Sequence, residues 1–356
     1  MKLLRLATTL NPTSAPYNQF SLGFKTTIDQ TYCSLLENDV PIENSISGFH
    51  ADGSIFKMIK LVRKLVAQNN YDVVHIHSGV TGIIFLIAIF PLRISLLQKT
   101  VFTLHNSWHI IKSRNQILDF IVMLASRKIC TCGQSSKDSI PNKINFFTGK
   151  KTIAVVNGFD HHRIDSVENK NSTIKHFNSS SKVKILCVGA LNNTKNQITV
   201  LEVLKEIKME AEVIFLGDGI NKEALIDFSK ELDSCTKILF KGRVSRNLTI
   251  EHMLEADISI SLSKGEGLPI AVLESMYAGC FQILSKIPPH KEISPPSNRC
   301  IFVDASNKPE IASSLHSITD NISSIRAGRA TSREYSIKSF SLDIMLREYM
   351  KVYNSL

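Results

Sequence analysis

At 356 residues, 43% hydrophobic and 21% charged, the chain has the composition of a folded globular protein and exceeds one ordinary core, which implies two domains of roughly 150 residues each. Its formal charge of +10 is uneven: residues 1–165 hold 18 Lys and Arg against 10 Asp and Glu, whereas 166–356 hold 24 against 22. One Trp and seven Tyr offer few stacking platforms for nucleic acid, the seven scattered Cys form no disulfide framework, and no apolar run reaches the ~20 residues of a bilayer span. The basic first half suits an anionic partner, such as a phosphorylated acceptor or an anionic membrane face.

In chain order, Leu3–Thr9 reads as a first strand rather than a signal peptide, which predicts a cytoplasmic protein. A helix follows over Lys57–Gln68, with Met58, Ile59, Leu61, Val62, Leu65 and Val66 on one stripe. Its opposite face carries Lys57, Lys60, Arg63 and Lys64, which would lie on solvent or on anionic lipid. Asp72–His77, Thr100–His105, Lys128–Thr131 and Thr152–Val156 read as strands, and the apolar stretch Ile83–Leu92 as a buried helix. The polar stretch 168–182 reads as a linker. The expected division is therefore a domain over 1–167, a second over 183–338 and a closing helix within 339–356. The second domain restarts the alternation with strands Lys184–Val188, Glu212–Leu216, Lys237–Phe240, Asp257–Leu262, Phe281–Ser285 and Cys300–Val303. Helices fall between them at 198–207, 222–232, 250–255 and 269–278, then at 308–319 and 341–353. This is the parallel α/β pattern, and it predicts two doubly wound units facing a cleft at their strands' carboxyl ends.

The segment Ser263-Lys-Gly-Glu-Gly-Leu-Pro-Ile-Ala-Val-Leu-Glu274 carries the chemistry. Gly265 and Gly267 flank Glu266, so backbone can approach a ligand closely. Free N–H groups at the start of the following helix suit phosphate or sugar oxygens. Glu266 lies in the loop mouth. Glu274, eight residues on, has the acceptor-only chemistry that suits a vicinal diol such as that of a ribose. Gly189 ends the strand Lys184–Val188, and Lys195 then opens a helix where it would neutralise a diphosphate or stand as a solvated surface lysine. His105 ends a strand whose tip faces the expected cleft, where it is either a donor to sugar or phosphate or a structural histidine. His75 and His77 share one strand face. No Asp-x-Asp clamp for a nucleotide-bound divalent ion occurs, and no spacing predicts a metal site.

The ordered set VGALNNTKNQ, FLGDG, FKGRV and EADISISLSKGEGLPIAVLESMYAGC, within Val188 to Glu292, resembles the retaining glycosyltransferases of family 4, which have the GT-B fold. YDVVHIHS, TLHN and AVVNGFD extend the resemblance weakly into the first half, and SFSLDIMLREYMKVY is similar to the closing helix that returns to the first domain. The resemblance implies metal- and cofactor-independent transfer of a sugar from a nucleotide-sugar, UDP-sugar favoured, with retained configuration. It implies a saccharide acceptor, lipid-linked by family habit, and a place in surface polysaccharide synthesis such as O-antigen or capsule. Glu274 would hold the ribose, Lys195 the diphosphate, and Glu266 with the backbone of Gly267, Leu268 and Pro269 the sugar and its phosphate. Arg243 and Val244 would meet the base, and His105 the donor sugar. Two departures stand out. Ala190 occupies the place where the family usually has Arg, and the first loop, Asn11–Phe24, lacks paired glycines. The first departure leaves open a non-catalytic binding or scaffold protein, and the fold alone also admits a sugar-nucleotide epimerase.

Overall fold

The computed structural model describes residues 1–10, 24, 28–36, 46–170, 182–233 and 235–356. The first loop, apart from Phe24, and most of the expected linker, 171–181, lie outside the described residues. The chain divides into two compact units, Met1–Gly158 with Leu342–Leu356, and Phe159–Ser341. Residues 168–170 are not linker: they close a helix, His161–Lys170, whose start Asp160 caps through the Arg163 N–H and which buries Ile164 and Val167.

The first unit holds seven parallel strands: β1 Lys2–Ala7, β2 Asp29–Ser34, β3 Ile46–His50, β4 Val73–Ile76, β5 Thr100–Leu104, β6 Lys128–Thr131 and β7 Thr152–Ala154. Their order is β3-β2-β1-β4-β5-β6-β7. Side chains alternate across the sheet, so Leu4, Leu6, Val74, Ile76, Phe102 and Leu104 face one core and Leu3, Val73, Val101 and Cys130 the other. The first core is covered by α1 Ile55–Gln68, α2 Gly79–Ile89 and α3 Ser113–Ala125. Ser54 and Ser78 cap α1 and α2, each accepting a bond from the N–H three residues on.

The helix Leu342–Asn354 covers the second core with Met345, Tyr349, Val352 and Tyr353. Polar contacts register it. Arg5, fully buried in β1, donates from Nε to Gln30 Oε1 at 2.9 Å and from Nη1 to His75 Nδ1 at 2.8 Å. The Tyr353 hydroxyl also donates to that Nδ1 at 2.7 Å, and His75 Nε2 donates to Thr103 Oγ1 at 2.7 Å. Burial and the Arg5 charge hold the His75 pKa well below its ordinary value, which keeps the ring neutral and able to accept.

The second unit holds six parallel strands: β8 Val183–Val188, β9 Ala211–Leu216, β10 Thr236–Gly242, β11 Ile258–Ser261, β12 Phe281–Ser285 and β13 Cys300–Val303. Their order is β10-β9-β8-β11-β12-β13. In each unit the strand order reverses direction once, between β1 and β4 and between β8 and β11. Ligands of doubly wound sheets bind outside the carboxyl ends at that switch point.

Candidate active site

Four loops of the second unit converge at the carboxyl ends of β8, β9, β10 and β11, and they contain the four sequence motifs. Their glycines are explained first by backbone packing. Gly217, at φ +143°, sits so close to the β8 loop that a Cβ there would lie 2.0 Å from the Gly189 carbonyl oxygen. A Cβ on Gly219 would lie 2.3 Å from the Leu191 oxygen. The loops are sewn together by Gly189 N–H to Leu216 O at 2.9 Å, Leu191 N–H to Asp218 O at 3.0 Å and Gly217 N–H to Gly242 O at 2.9 Å. The FLGDG motif is thus a support for the Gly189 loop.

Lys195 and Glu266 meet across the switch point, Nζ to Oε1 at 2.5 Å. The Ser263 hydroxyl donates to the same carboxylate oxygen at 2.7 Å, and the Lys264 N–H bonds Thr194 O at 2.8 Å, which holds the two loops in register. Glu266, Gly265, Gly267, Leu268 and Pro269 are buried, so the glutamate is fixed by its surroundings while Lys195 stays partly exposed. Gly189, at φ +144°, lies beneath the lysine stem, 3.4 Å from Cε for a Cβ placed there.

Glu274 belongs to the helix Ile270–Tyr277 and is 4% exposed. The structure begins this helix one residue later than the sequence pattern suggests: Pro269 is its cap residue and accepts from the Val272 and Leu273 N–H groups. Pro269 has no N–H of its own, so any backbone donation comes from its neighbours. Glu274 Oε1 forms an ion pair with Arg246 Nη2, while Oε2 is buried without a partner among the described residues. A buried carboxylate oxygen left unsatisfied is costly, which sets Glu274 Oε2 apart as an open acceptor at the site.

Arg246 is the residue that motif reading passes over. It opens the helix Arg246–Glu255, capped by Ser245, and approaches Glu274 because that helix packs on Ile270–Tyr277. Burial and the nearby Arg163 lower its pKa to about 10, and Asp160 opposes them. Its only signal in the sequence is its place three residues after Arg243. Arg243 is exposed and Val244 half-buried at the end of β10, next to the Gly217 turn. Ala190 is also exposed; its carbonyl accepts from Gln197 Nε2 at 2.9 Å, and Gln197 Oε1 is buried without a partner among the described residues. His290, fully buried, bonds Ser285 through Nδ1 at 3.0 Å and approaches Ser261 through Nε2 at 3.4 Å.

His105 lies in the first unit, at the end of β5. Its Nε2 is 3.0 Å from His77 Nδ1, its Nδ1 is 3.9 Å from Cys132 Sγ, and burial lowers its pKa to about 4. It lines a pocket of about 350 Å³ at the carboxyl ends of β1, β4 and β5, together with Thr8, Ser78, Arg114, Asn115 and Asp119. Asp119 accepts from the Gly79 N–H at the start of α2, and burial raises its pKa to about 6. Among the described residues no group of three or more His, Cys, Asp or Glu is placed to hold a metal ion.

Residues 169–331 match the family described as glycosyl transferases group 1. The chain is 28% identical over 251 residues to the capsular polysaccharide biosynthesis glycosyltransferase CapH of Staphylococcus aureus, covering 67% of this chain and 65% of that protein. It thus spans just under two thirds of that relative's length. Over 96 residues, 27% of this chain and 26% of the other, it is 28% identical to the N-acetylgalactosamine-N,N'-diacetylbacillosaminyl-diphospho-undecaprenol 4-alpha-N-acetylgalactosaminyltransferase of Campylobacter jejuni. Anabaena Alr3699/HepE, solved in complex with UDP and glucose, superimposes with a TM-score of 0.80 at 14% identity, covering 100% of both chains. At that identity the likeness shows the fold: α/β, two Rossmann-like domains, GT-B.

Proposed function

We propose that the protein is a retaining glycosyltransferase that moves a sugar from a nucleotide-sugar, UDP-sugar first, to a saccharide acceptor on a lipid carrier during capsule-type polysaccharide synthesis. The observation that carries this reading is the pairing, at one switch point, of a cation–carboxylate couple with a second buried carboxylate whose free oxygen awaits a donor. Glu274 Oε2 accepts from the ribose diol, and Arg246 fixes the carboxylate from behind. Lys195 exchanges part of its contact with Glu266 for the diphosphate. Glu266 and the backbone about Gly267 and Leu268 then hold the transferred sugar, and Arg243 and Val244 flank the base. In the reaction the bond from the anomeric carbon to the leaving phosphate oxygen breaks, and a bond to the acceptor oxygen forms on the same face. The acceptor proton passes to that phosphate oxygen. Lys195 stabilises the departing charge, and no metal is required. The first unit is the acceptor side, where His105 and the hydroxyl- and amide-bearing pocket around it supply contacts for sugars.

Ala190 favours one competing reading, a protein that binds a nucleotide without turnover. The discriminating experiment incubates the full chain with a nucleotide-sugar and synthetic polyprenyl-diphosphate saccharides. Release of nucleoside diphosphate in step with a product whose anomeric proton keeps the donor configuration is expected. Inverted configuration refutes the stereochemistry. An isomerised donor without free diphosphate means an epimerase, and no chemistry with intact nucleotide binding means a scaffold.

A further inference from the structure

The large apolar side chains left exposed are unevenly shared: fourteen of them lie in the first unit and three in the second, among the described residues. Most of the fourteen gather on one layer. α2 turns Ile84, Phe85, Ala88 and Ile89 into the core, yet also presents Ile87, and Phe90 and Leu92 follow it, the last 89% exposed. α3 buries Val122 and Met123 and presents a second apolar stripe, Ile117, Ile121 and Leu124, at the i, i+4, i+7 spacing of one helix face. The helix Asn142–Thr148 adds Phe146, 83% exposed, and Phe147. These elements touch in sequence, α1 on α2, α2 on α3, and α3 on Asn142–Thr148, with the Phe120 and Phe147 rings 6.5 Å apart.

The charge follows the same layer. Residues 55–151 hold 14 Lys and Arg against three Asp and Glu, and the remaining residues hold 28 against 29, so the whole positive excess of the chain belongs to this stretch. One of the three acids, Asp119, is buried. The exposed cations border the apolar stripes: Lys60, Arg63 and Lys64 on α1, Arg93 between Leu92 and Ile94, Arg114 on α3 and Lys143 beside Phe146. Lys57 is the exception, because Asp52 pairs with it. Arg63 ties the two kinds of surface together, donating to the Ala88 carbonyl at 3.2 Å.

We propose that this face, α1 to α3 with Asn142–Thr148, docks on an anionic lipid surface. The aromatic and aliphatic side chains enter the boundary between headgroups and acyl chains, and the surrounding lysines and arginines meet the lipid phosphates. From the sequence, the basic face of α1 lies on solvent or on anionic lipid; docking takes the second of these and adds α2, α3 and Asn142–Thr148 to the face. The apolar stripe of α1 is buried in the core, at Met58, Val62, Leu65 and Val66, so α1 contributes charge and the other helices contribute insertion. No helix among the described residues is long and apolar enough to cross a membrane, so the contact is with one leaflet. A second copy of the chain is a poorer occupant, because it would set two such basic stretches against each other. The inference does not depend on the transfer reaction.

The test is cosedimentation of the full chain with vesicles of phosphatidylcholine, alone or with about a third phosphatidylglycerol. Salt-sensitive binding to the anionic vesicles is expected, with weak binding to the neutral ones. Phe146→Ser with Leu92→Ser, and separately Lys60→Glu with Lys64→Glu, should each weaken it by about tenfold or more while leaving the melting temperature in place. The charge-reversed pair touches no core side chain, since Lys60 lies over the exposed ring of Phe56, so it reads the surface even if the serine pair fails to fold. Wild-type protein that stays in the supernatant with anionic vesicles overturns the proposal. So does binding that none of the folded variants alters, or a dimer that the same substitutions dissociate with no vesicle binding.

Discussion

The Glu274–Arg246 pair gives the sharpest forecast. By sequence alone, Glu274→Ala weakens nucleotide binding and leaves the fold intact. Arg246 changes the second half of that expectation: the alanine strands a guanidinium whose side chain is only 23% exposed, and breaking a buried pair from one side costs up to about 3–5 kcal/mol. For a domain of this size each kcal/mol lowers the melting temperature by about 2–4 °C, so Glu274→Ala should melt roughly 10 °C early. Binding is better read from Glu274→Gln, which keeps the volume and an oxygen for Arg246 but replaces the charged acceptor with an amide. A hydrogen bond to a charged group contributes about 1.5–3 kcal/mol, so affinity for the nucleoside diphosphate should fall about 10- to 100-fold by calorimetry. The double variant Arg246→Met, Glu274→Leu removes both charges together. It should fold about as stably as wild type, as apolar replacements of buried pairs often do, yet give no saturable binding. A Glu274→Gln protein that is folded and binds within twofold of wild type would sink the ribose assignment. A strongly destabilised double variant would show that the pair serves the fold instead.

Lys195→Gln should lower kcat by about 10²–10³, the scale of losing one donor to developing charge. Its melting temperature should stay within a few degrees, since the Gln amide can still donate to Glu266 and the Ser263 hydroxyl keeps its bond to the same carboxylate; an unchanged rate removes Lys195 from the leaving-group site. Ala190→Arg supplies at this exposed position the charge that the family resemblance implies and should raise donor affinity about 10- to 100-fold; no gain would mean that the loop directs position 190 away from the diphosphate. His290 is fully buried, and burial lowers its pKa to about 4, below the ~6.5 of the unfolded chain. The unfolded state therefore binds more protons between those values, and stability falls as pH falls through that window, by roughly 3 kcal/mol for this group. Urea midpoints across the window should decline less steeply in His290→Gln; identical slopes would contradict the assignment.

Strands bounded by turns and made of apolar residues are plain in the sequence: β6, β12 and β13 appear at the predicted residues. β2 does not, because it reads DQTYCS; Gln30, Thr31 and Ser34 are buried there, and Gln30 serves Arg5 on the neighbouring strand. A polar strand stabilised by partners 25 residues away carries no local signal. α3 is hidden for the opposite reason, since Ile117, Ile121 and Leu124 spoil its amphipathic contrast by pointing outward. At the site, the glycine-bounded loop and both glutamates are legible because their spacing is local. Arg246 is not, since its value arises from a helix packed against another 24 residues further on. The FLGDG glycines are visible as a motif, but their reason, the approach of Gly217 to the Gly189 carbonyl, belongs to the fold.

The account rests most directly on a nucleoside diphosphate occupying the β8–β11 switch point of the second unit. Thermal unfolding of the wild-type chain with uridine, guanosine, adenosine and thymidine diphosphates, each near 100 times its dissociation constant, would add about 2.7 kcal/mol for the one that binds. One base should raise the melting temperature by several degrees, with uridine diphosphate first, and the shift should vanish in the Arg246→Met, Glu274→Leu variant. No shift with any of the four, or an equal shift in that variant, would contradict it.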